Sequence, residues 1–340
     1  MLTWLQFISV SITSYGIVVL TTPYIKKISL KLKLLDNPNQ RRIHKKPTPN
    51  SGGIAIFLSM LPCLIYLSFQ NTIYVGLLTS ATFIISLGIL DDKININPKI
   101  KLLGQCIAIG FLLFTGTLIH GITNPLGGFL AFKILSYPIT ICWLIGIINA
   151  FNLIDGVDGL ASSITSISCV AFAIISIKMN DYQTAMISFS LLASTLAFLK
   201  FNNYPAKIFL GDSGSMLIGL VMGFMSINGV LKSTLSLTMF CPLLILAFPL
   251  SDTAYTIFRR LKNKQKLFSP DKKHFHHQLL DKGLSPPQIV LVFSSVSGIL
   301  SAVAIIITLP QEHRLYASIL VISSIGLITK SLINTFKKKV

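Results

Sequence analysis

The amino-acid sequence predicts an all-α polytopic membrane protein: a bundle of about eleven transmembrane helices, N-terminus outside (periplasmic) and C-terminus cytoplasmic. Three observations carry that expectation. Hydrophobic residues make up 52% of the 340-residue chain and charged residues only 12%, too few charges to cover a water-facing surface of that size. Apolar stretches of about 18 residues or more recur along the whole length, matching the thickness of a bilayer core. The basic residues crowd into alternate loops, the pattern that orients membrane helices. Disorder is excluded by the same composition, since disordered chains are poor in Leu, Ile and Phe.

The expected spans run at about 3–25, 52–70, 72–90, 101–119, 134–152, 160–178, 183–201, 213–230, 235–257, 288–308 and 315–333. The first lacks a basic leader and a small-residue cleavage site, so it reads as a retained helix rather than a signal peptide. No segment between spans is long enough to fold alone. Residues 1–340 therefore form one integral-membrane domain, with a site expected in loops 26–51, 91–101, 152–160, 201–213 and 258–287. The five cysteines fall within apolar spans at no metal-like spacing, which suits packing. No internal repeat is evident, which gives an inverted-repeat transporter no support.

Twenty-nine Lys and Arg against eleven Asp and Glu give a net charge of +18. In a soluble domain this excess would raise nucleic-acid binding. Here all of the 29 except Lys133, Lys178, Lys232 and Arg314 lie in one set of loops, so the excess marks the cytoplasmic face and nucleic acid is not expected as a partner. Every acid except Asp181 and Glu312 lies on that same side. Acids beside a membrane mark function by default.

Five segments stand out there. Asp91-Asp92 follow the third apolar run; adjacent carboxylates repel, and a bound cation or shared proton relieves them. Asn149-Ala-Phe-Asn152-Leu-Ile-Asp155-Gly-Val-Asp158-Gly-Leu160 closes the fifth span. If helical, it sets Asn152, Asp155 and Asp158 on roughly one face. That all-oxygen set suits a hard ion such as Mg²⁺, or the donors of a uracil and ribose; a capping turn is the plainer alternative. Ile208 to Ser215, with Gly211-Asp212-Ser213-Gly214, opens the eighth span as an ordinary cap or as a row of amides facing a phosphate. Ser269-Pro-Asp-Lys-Lys-His274-Phe-His276-His277 lies in the most basic loop at no zinc spacing and reads as an anion-binding cluster. Pro38 to Gly53 carries Arg41, Arg42, His44, Lys45 and Lys46, with Pro-Thr-Pro and Gly-Gly elements that suggest a defined turn. Carboxylates, phosphate donors and cationic loops on one membrane face suit phosphoryl transfer between a nucleotide substrate and a lipid phosphate.

In these residues and their order the sequence resembles the bacterial polyprenyl-phosphate N-acetylhexosamine-1-phosphate transferases, glycosyltransferase family 4. The carriers are Pro38-Asn-Gln-Arg41 with His44 and Gly52-Gly53, Leu90-Asp91-Asp92, Asn149 to Leu160, Leu210 to Ser215, Pro249-Leu-Ser-Asp252-Thr, Arg259-Arg260 and Ser269 to His277. The resemblance implies ten or eleven membrane helices with a cytoplasmic site in the inner (plasma) membrane. It implies transfer of a sugar 1-phosphate from a UDP-N-acetylhexosamine to undecaprenyl phosphate, releasing UMP, with Mg²⁺ or in its place Mn²⁺. His274-Phe-His276-His277 replaces the three consecutive histidines of the muramoyl-pentapeptide branch and resembles the GlcNAc-1-phosphate branch, which starts O-antigen, common-antigen or teichoic-acid linkage synthesis. Lys93-Ile-Asn-Ile-Asn97 lacks the further acid that many relatives carry after the Asp-Asp pair.

By resemblance, Asp212 is the principal metal ligand, and Asp91 and Asp92 hold metal or orient and deprotonate the lipid phosphate. Asn152, Asp155 and Asp158 bind the UDP moiety, with Asp155 and Asp158 also completing the catalytic set. His274, His276, His277, Arg42 and Lys46 neutralise phosphate oxygens, and His44 and Asp252 join the substrate-binding set. Membrane lipids surround the helices, and the oligomeric state is left open, a homodimer included. The same chemistry on GalNAc, QuiNAc, FucNAc or MurNAc-pentapeptide donors is one alternative. A polyanion transporter is the rival of another class; it needs ionisable groups near the bilayer midplane, whereas these acids sit at helix ends.

Overall fold

The computed structural model describes residues 4–36, 47–123, 128–230, 240–264, 274–310 and 312–314. Its helices are α1 (Trp4–Lys31), α2 (Gly52–Ser68), α3 (Thr72–Ile94), α4 (Pro98–Phe114), α5 (Ser136–Ile154), α6 (Leu160–Lys178), α7 (Tyr182–Asn202), α8 (Gly211–Met225), α9 (Cys241–Ile245), α10 (Ala247–Lys262), α11 (Phe275–Asp281) and α12 (Pro286–Thr308). The strands among the described residues form two antiparallel pairs, β1 (Leu35–Asp36) with β2 (Thr48–Pro49) and β3 (Gly121–Thr123) with β4 (Phe129–Ala131). The protein is a polytopic, mainly helical membrane protein. Six of the described helices are long and apolar enough to cross a membrane: α1, α3, α5 with its leading 3-10 turn Lys133–Leu135, α6, α7 and α12.

Local chemistry sets the helix ends that matter for the site. Asn71 caps α3, accepting from the Ile73 amide at 3.0 Å. At the other end Asn95 adopts a left-handed conformation (φ 50°) and stops the helix. Asn97 then caps α4 by accepting from the Lys99 amide at 3.0 Å, and Pro98, which has no N–H to leave unpaired, fills the first turn. The chain reverses within this short link, bringing the end of α3 beside the start of α4.

Helix α8 is the centre of the bundle. Every residue of it except Asp212 is buried, and α2, α3 and α5 pack around it. A helix apolar on all sides belongs in a core. Its first turn is approached at backbone distance: a Cβ on Gly88 of α3 would lie 2.2 Å from Ser213 Cα, and one on Gly53 of α2 would lie 2.2 Å from the Gly214 nitrogen. Small residues at crossings let membrane helices meet through their backbones. Hydroxyls link the outer helices: Ser14 to Ser190 at 2.8 Å, Ser59 to Ser194 at 2.6 Å, and Ser166 to Thr195 at 2.8 Å.

Two expectations change. The single span expected at 235–257 is broken: α9 ends at Ile245 and α10 starts at Ala247, with Pro242 and Pro249 each removing a backbone donor. Helix α10 is also amphipathic, ending in Arg259, Arg260 and Lys262 with exposed Phe258 and Leu261, not a uniformly apolar span. Asn152, Asp155 and Asp158 do not share one helix, because α5 stops at Ile154 and a turn follows. The span expected at 315–333 lies outside the described residues.

Gly88→Ala is expected to lower the thermal midpoint, because the added methyl meets backbone that cannot yield; such overpacking costs about 1–3 kcal/mol. Gly110→Ala, with nothing within 4 Å of the new carbon, is the comparison and should be neutral or slightly stabilising. Equal midpoints for the two variants would contradict the close crossing of α3 and α8.

Candidate active site

The site begins in backbone. Leu35 pairs with Pro49 and Asp36 with Thr48, which holds the two ends of the basic 37–46 loop together. Arg42, His44 and Lys46 are in that loop and lie outside the described residues. The chain then runs parallel to 209–210: the Phe209 amide donates to Pro49 O at 2.8 Å, and Gly52 and Gly53 donate to Phe209 O and Leu210 O, both at 2.9 Å. Gly211 follows at φ +78°, a conformation that suits glycine, and turns the chain into α8.

Asp92 meets that turn. Its Oδ1 accepts from the Asp212 amide at 2.8 Å and from Asn50 Nδ2 at 2.8 Å, and its Oδ2 accepts from the Ser213 amide at 3.2 Å. It is a cap supplied by another helix, satisfying amides that α8 cannot pair itself. Asp91 is buried and turns elsewhere: Oδ1 accepts from the Ile96 amide at 2.8 Å, and Oδ2 lies 2.7 Å from Lys101 Nζ. Lys101 Nζ is also 3.1 Å from Asp212 Oδ1 and donates to Asn152 Oδ1 at 3.2 Å. Asn152 Nδ2 donates to Asp212 Oδ1 and, at 2.9 Å, to Ser215 Oγ. One turn back on α5, Asn149 exchanges amide hydrogen bonds with Gln105 of α4. Thus α3, α4, α5 and α8 each contribute to one charged cluster.

The Asp155–Gly159 turn adjoins it. Withdrawal from water, then the negative charges of Asp212, Asp92 and Asp158, hold the Asp155 carboxyl well above the usual carboxylate range. Asp158 Oδ2 accepts from the Ala206 amide at 2.9 Å, and Asn202 Oδ1 accepts from the Gly159 amide at 3.1 Å, fixing the turn to the end of α7.

The histidines meet this turn at Gly156. His274 Nδ1 is 2.9 Å from Asp252 Oδ2, and the Phe275 amide donates to Asp252 Oδ1 at 3.0 Å. The His274 and His276 rings are parallel, 5.7 Å apart, and His277 lies 4.3 Å from His276. A Cβ on Gly156 would lie 2.4 Å from His276 Nε2, so this imidazole rests on the turn. Burial, then His277 and His274, push the His276 pKa down to about 3, with Asp252 opposing. His276 is therefore neutral at physiological pH, not the cation expected from the sequence. Asp252, expected among the substrate-binding residues, is instead 2% exposed with both oxygens engaged.

The structure thus gathers Asp91, Asp92, Asn152 and Asp212 directly, sets Asp155 and Asp158 in the adjoining turn, and adds His274, His276 and His277 through Gly156. Lys101, Asn50 and Ser215 carry this arrangement and were missed as site residues. Lys101 shares the head of an apolar helix with Lys99, and in the sequence the two mark only the orientation. Asn50 and Ser215 sat inside quoted motifs with nothing to distinguish them from turn formers.

An all-oxygen set of Asp91, Asp212 and Asn152 already accommodates one positive charge, the Lys101 ammonium, and its chemistry fits a hard cation. Among the described residues no three His, Cys, Asp or Glu side chains form a ready metal site. Hard cations are commonly held by one or two carboxylates and completed by water and substrate phosphates.

Residues 74–230 match the model of glycosyl transferase family 4. The chain is 36% identical over 301 residues to a probable undecaprenyl-phosphate N-acetylglucosaminyl 1-phosphate transferase of Bacillus subtilis, covering 87% of this chain and 83% of the relative. It is 30% identical over 323 residues to a decaprenyl-phosphate N-acetylglucosaminephosphotransferase of Mycolicibacterium smegmatis (86% and 80% covered). It is 29% identical over 301 residues to an undecaprenyl-phosphate alpha-N-acetylglucosaminyl 1-phosphate transferase of Salmonella typhi (85% and 82% covered).

Lys101→Met tests the charge cluster without reference to activity. Removing one partner of a buried ion pair is strongly destabilising; because Asp212 keeps 34% of its side-chain surface, the loss is expected at about 2 kcal/mol rather than more. Thermal unfolding in a chelating buffer reads it. An unchanged midpoint would mean that Lys101 does not hold Asp91 and Asp212 together.

Proposed function

The chain belongs to glycosyl transferase family 4, and from that premise we propose how its site works. The protein is an enzyme that transfers N-acetylglucosamine 1-phosphate from UDP-N-acetylglucosamine to undecaprenyl phosphate. One observation carries the siting of that reaction: Asp91, Asp212 and Asn152, from three helices, converge on Lys101 beside the amides that open α8.

A lipid-phosphate oxygen attacks the sugar-bearing phosphorus of the donor. A new P–O bond forms, the bond to the bridging oxygen breaks, and UMP leaves with that oxygen. Two phosphate groups must therefore approach each other, and their repulsion is the main barrier the protein meets. Bound Mg²⁺ would supply charge neutralisation of the phosphate oxygens, held by Asp212 and Asp91 with Asn152. Lys101 keeps the two carboxylates in place and adds a fixed positive charge. Asp92, occupied by the α8 amides and Asn50, orients Asp212. Asp155 and Asp158 in their turn meet the uridine side of the donor, and the neutral His276 forms the wall of that turn. Arg42, His44 and Lys46, which the sequence places in the basic 37–46 loop, are assigned to neutralising substrate phosphate oxygens.

The alternation of basic loops supports an N-terminus outside and a site on the cytoplasmic face of a bacterial plasma membrane. On that face the nucleotide donor is available and the apolar helix walls admit the polyprenyl chain.

The test is UMP release by purified protein with undecaprenyl phosphate and a panel of UDP-N-acetyl sugars. UDP-GlcNAc should be the best donor, chelation should abolish turnover, and Asp212→Asn should lower kcat by about 100-fold or more, the order of loss when a group stabilising transition-state charge is removed. Full turnover in a chelator would remove the metal from the mechanism, and preference for another UDP-sugar would reassign the donor.

A further inference from the structure

The Asp252 carboxylate is placed unlike the others. It comes from α10, which contributes nothing to the Lys101 cluster, and both its oxygens are engaged, one by His274 Nδ1 and one by the Phe275 amide. With 2% exposure it has no face to offer a substrate. We propose that Asp252 is a positioning residue: it fixes the start of α11 and so seats the His276 ring on the Asp155–Gly159 turn that meets the donor nucleotide.

The contacts run without a gap. The Asp252 carboxylate at Nδ1 fixes the orientation of the His274 ring. Thr256 Oγ1, on the next turn of α10, lies 3.3 Å from the same Nδ1. The Tyr255 and Phe275 rings stack at 5.1 Å and press α11 onto α10 from the neighbouring face. With His274 and Phe275 fixed, the first turn of α11 carries His276 parallel to His274, 4% exposed, with Nε2 against Gly156. Gly156 leaves the room this seat needs. Its backbone is outside the left-handed region, so an alanine fits the chain but pushes the imidazole away. Asp155 and Asp158 flank that glycine. Moving the ring therefore disturbs the turn without touching any residue of the Lys101 cluster.

The inference rests on the donor reading given above, and kinetics with each substrate varied separates the two. Asp252→Ala and Gly156→Ala should each raise the donor KM about tenfold and leave the undecaprenyl phosphate KM unchanged, the pattern of a lost ground-state contact. Because both act through one imidazole, the double variant should be no worse than the worse single variant. Asp252→Asn, which still accepts from the Phe275 amide, should show a smaller rise. A wild-type donor KM in Asp252→Ala would overturn the proposal, and so would effects that multiply to about 100-fold in the double variant. A parallel rise in both KM values would also overturn it, leaving Asp252 a general structural role. Should Asp252→Ala fail to fold, wild-type donor KM values in both Gly156→Ala and Asp252→Asn would overturn it equally. A wild type that releases no UMP from UDP-GlcNAc would sink the donor reading itself.

Discussion

The carboxylate of Asp92 on the first amides of α8 is the contact on which the rest of the site depends. A buried helix start leaves N–H groups that must find acceptors, and an anion there also meets the positive end of the helix dipole. Here the acceptor comes from a different helix, so one interaction both satisfies α8 and locks α3 against it. Gly88 makes the approach feasible, and Gly211, whose added Cβ would lie 2.7 Å from Asp92 Oδ2, keeps the turn clear. Asn50, directly after β2, donates to the same carboxylate at 2.8 Å. Three separate sequence motifs become one unit at the level of backbone.

This division of labour also resolves the adjacency of Asp91 and Asp92. Neighbouring residues on a helix face different directions. Asp92 faces α8 and is neutralised by amides; Asp91 faces α4 and is neutralised by Lys101. Asp212, held by the same capped turn, meets Asp91 across the Lys101 ammonium.

Much of this was legible in the sequence, and the failures have physical causes. Long apolar runs showed most helices because bilayer thickness imposes their length, and α6 falls on 160–178 as expected. The 235–257 run misled because hydropathy averages over prolines that break a helix and over the amphipathic face of α10. Asp91 and Asn152 were recognisable because acids and amides at apolar helix ends are rare, whereas Asp212, by itself an ordinary cap, stood out only through the family resemblance. Lys101 was not recognisable, because its partners come from α3, α5 and α8, and pairing across helices has no local signature. Asp252 shows the converse: its sequence context marked it as a site residue, while only the fold shows that its oxygens face the chain itself.

The most direct measurement is hydrogen exchange at the Asp212 and Ser213 amides, in the wild type and in Asp92→Ala. If Asp92 caps α8, both amides exchange slowly in the wild type and at least about tenfold faster in the variant, while amides deeper in α8 keep their protection. Unchanged exchange at both positions would show that α8 is held by something else, and that the carboxylate of Asp92 does not organise this site.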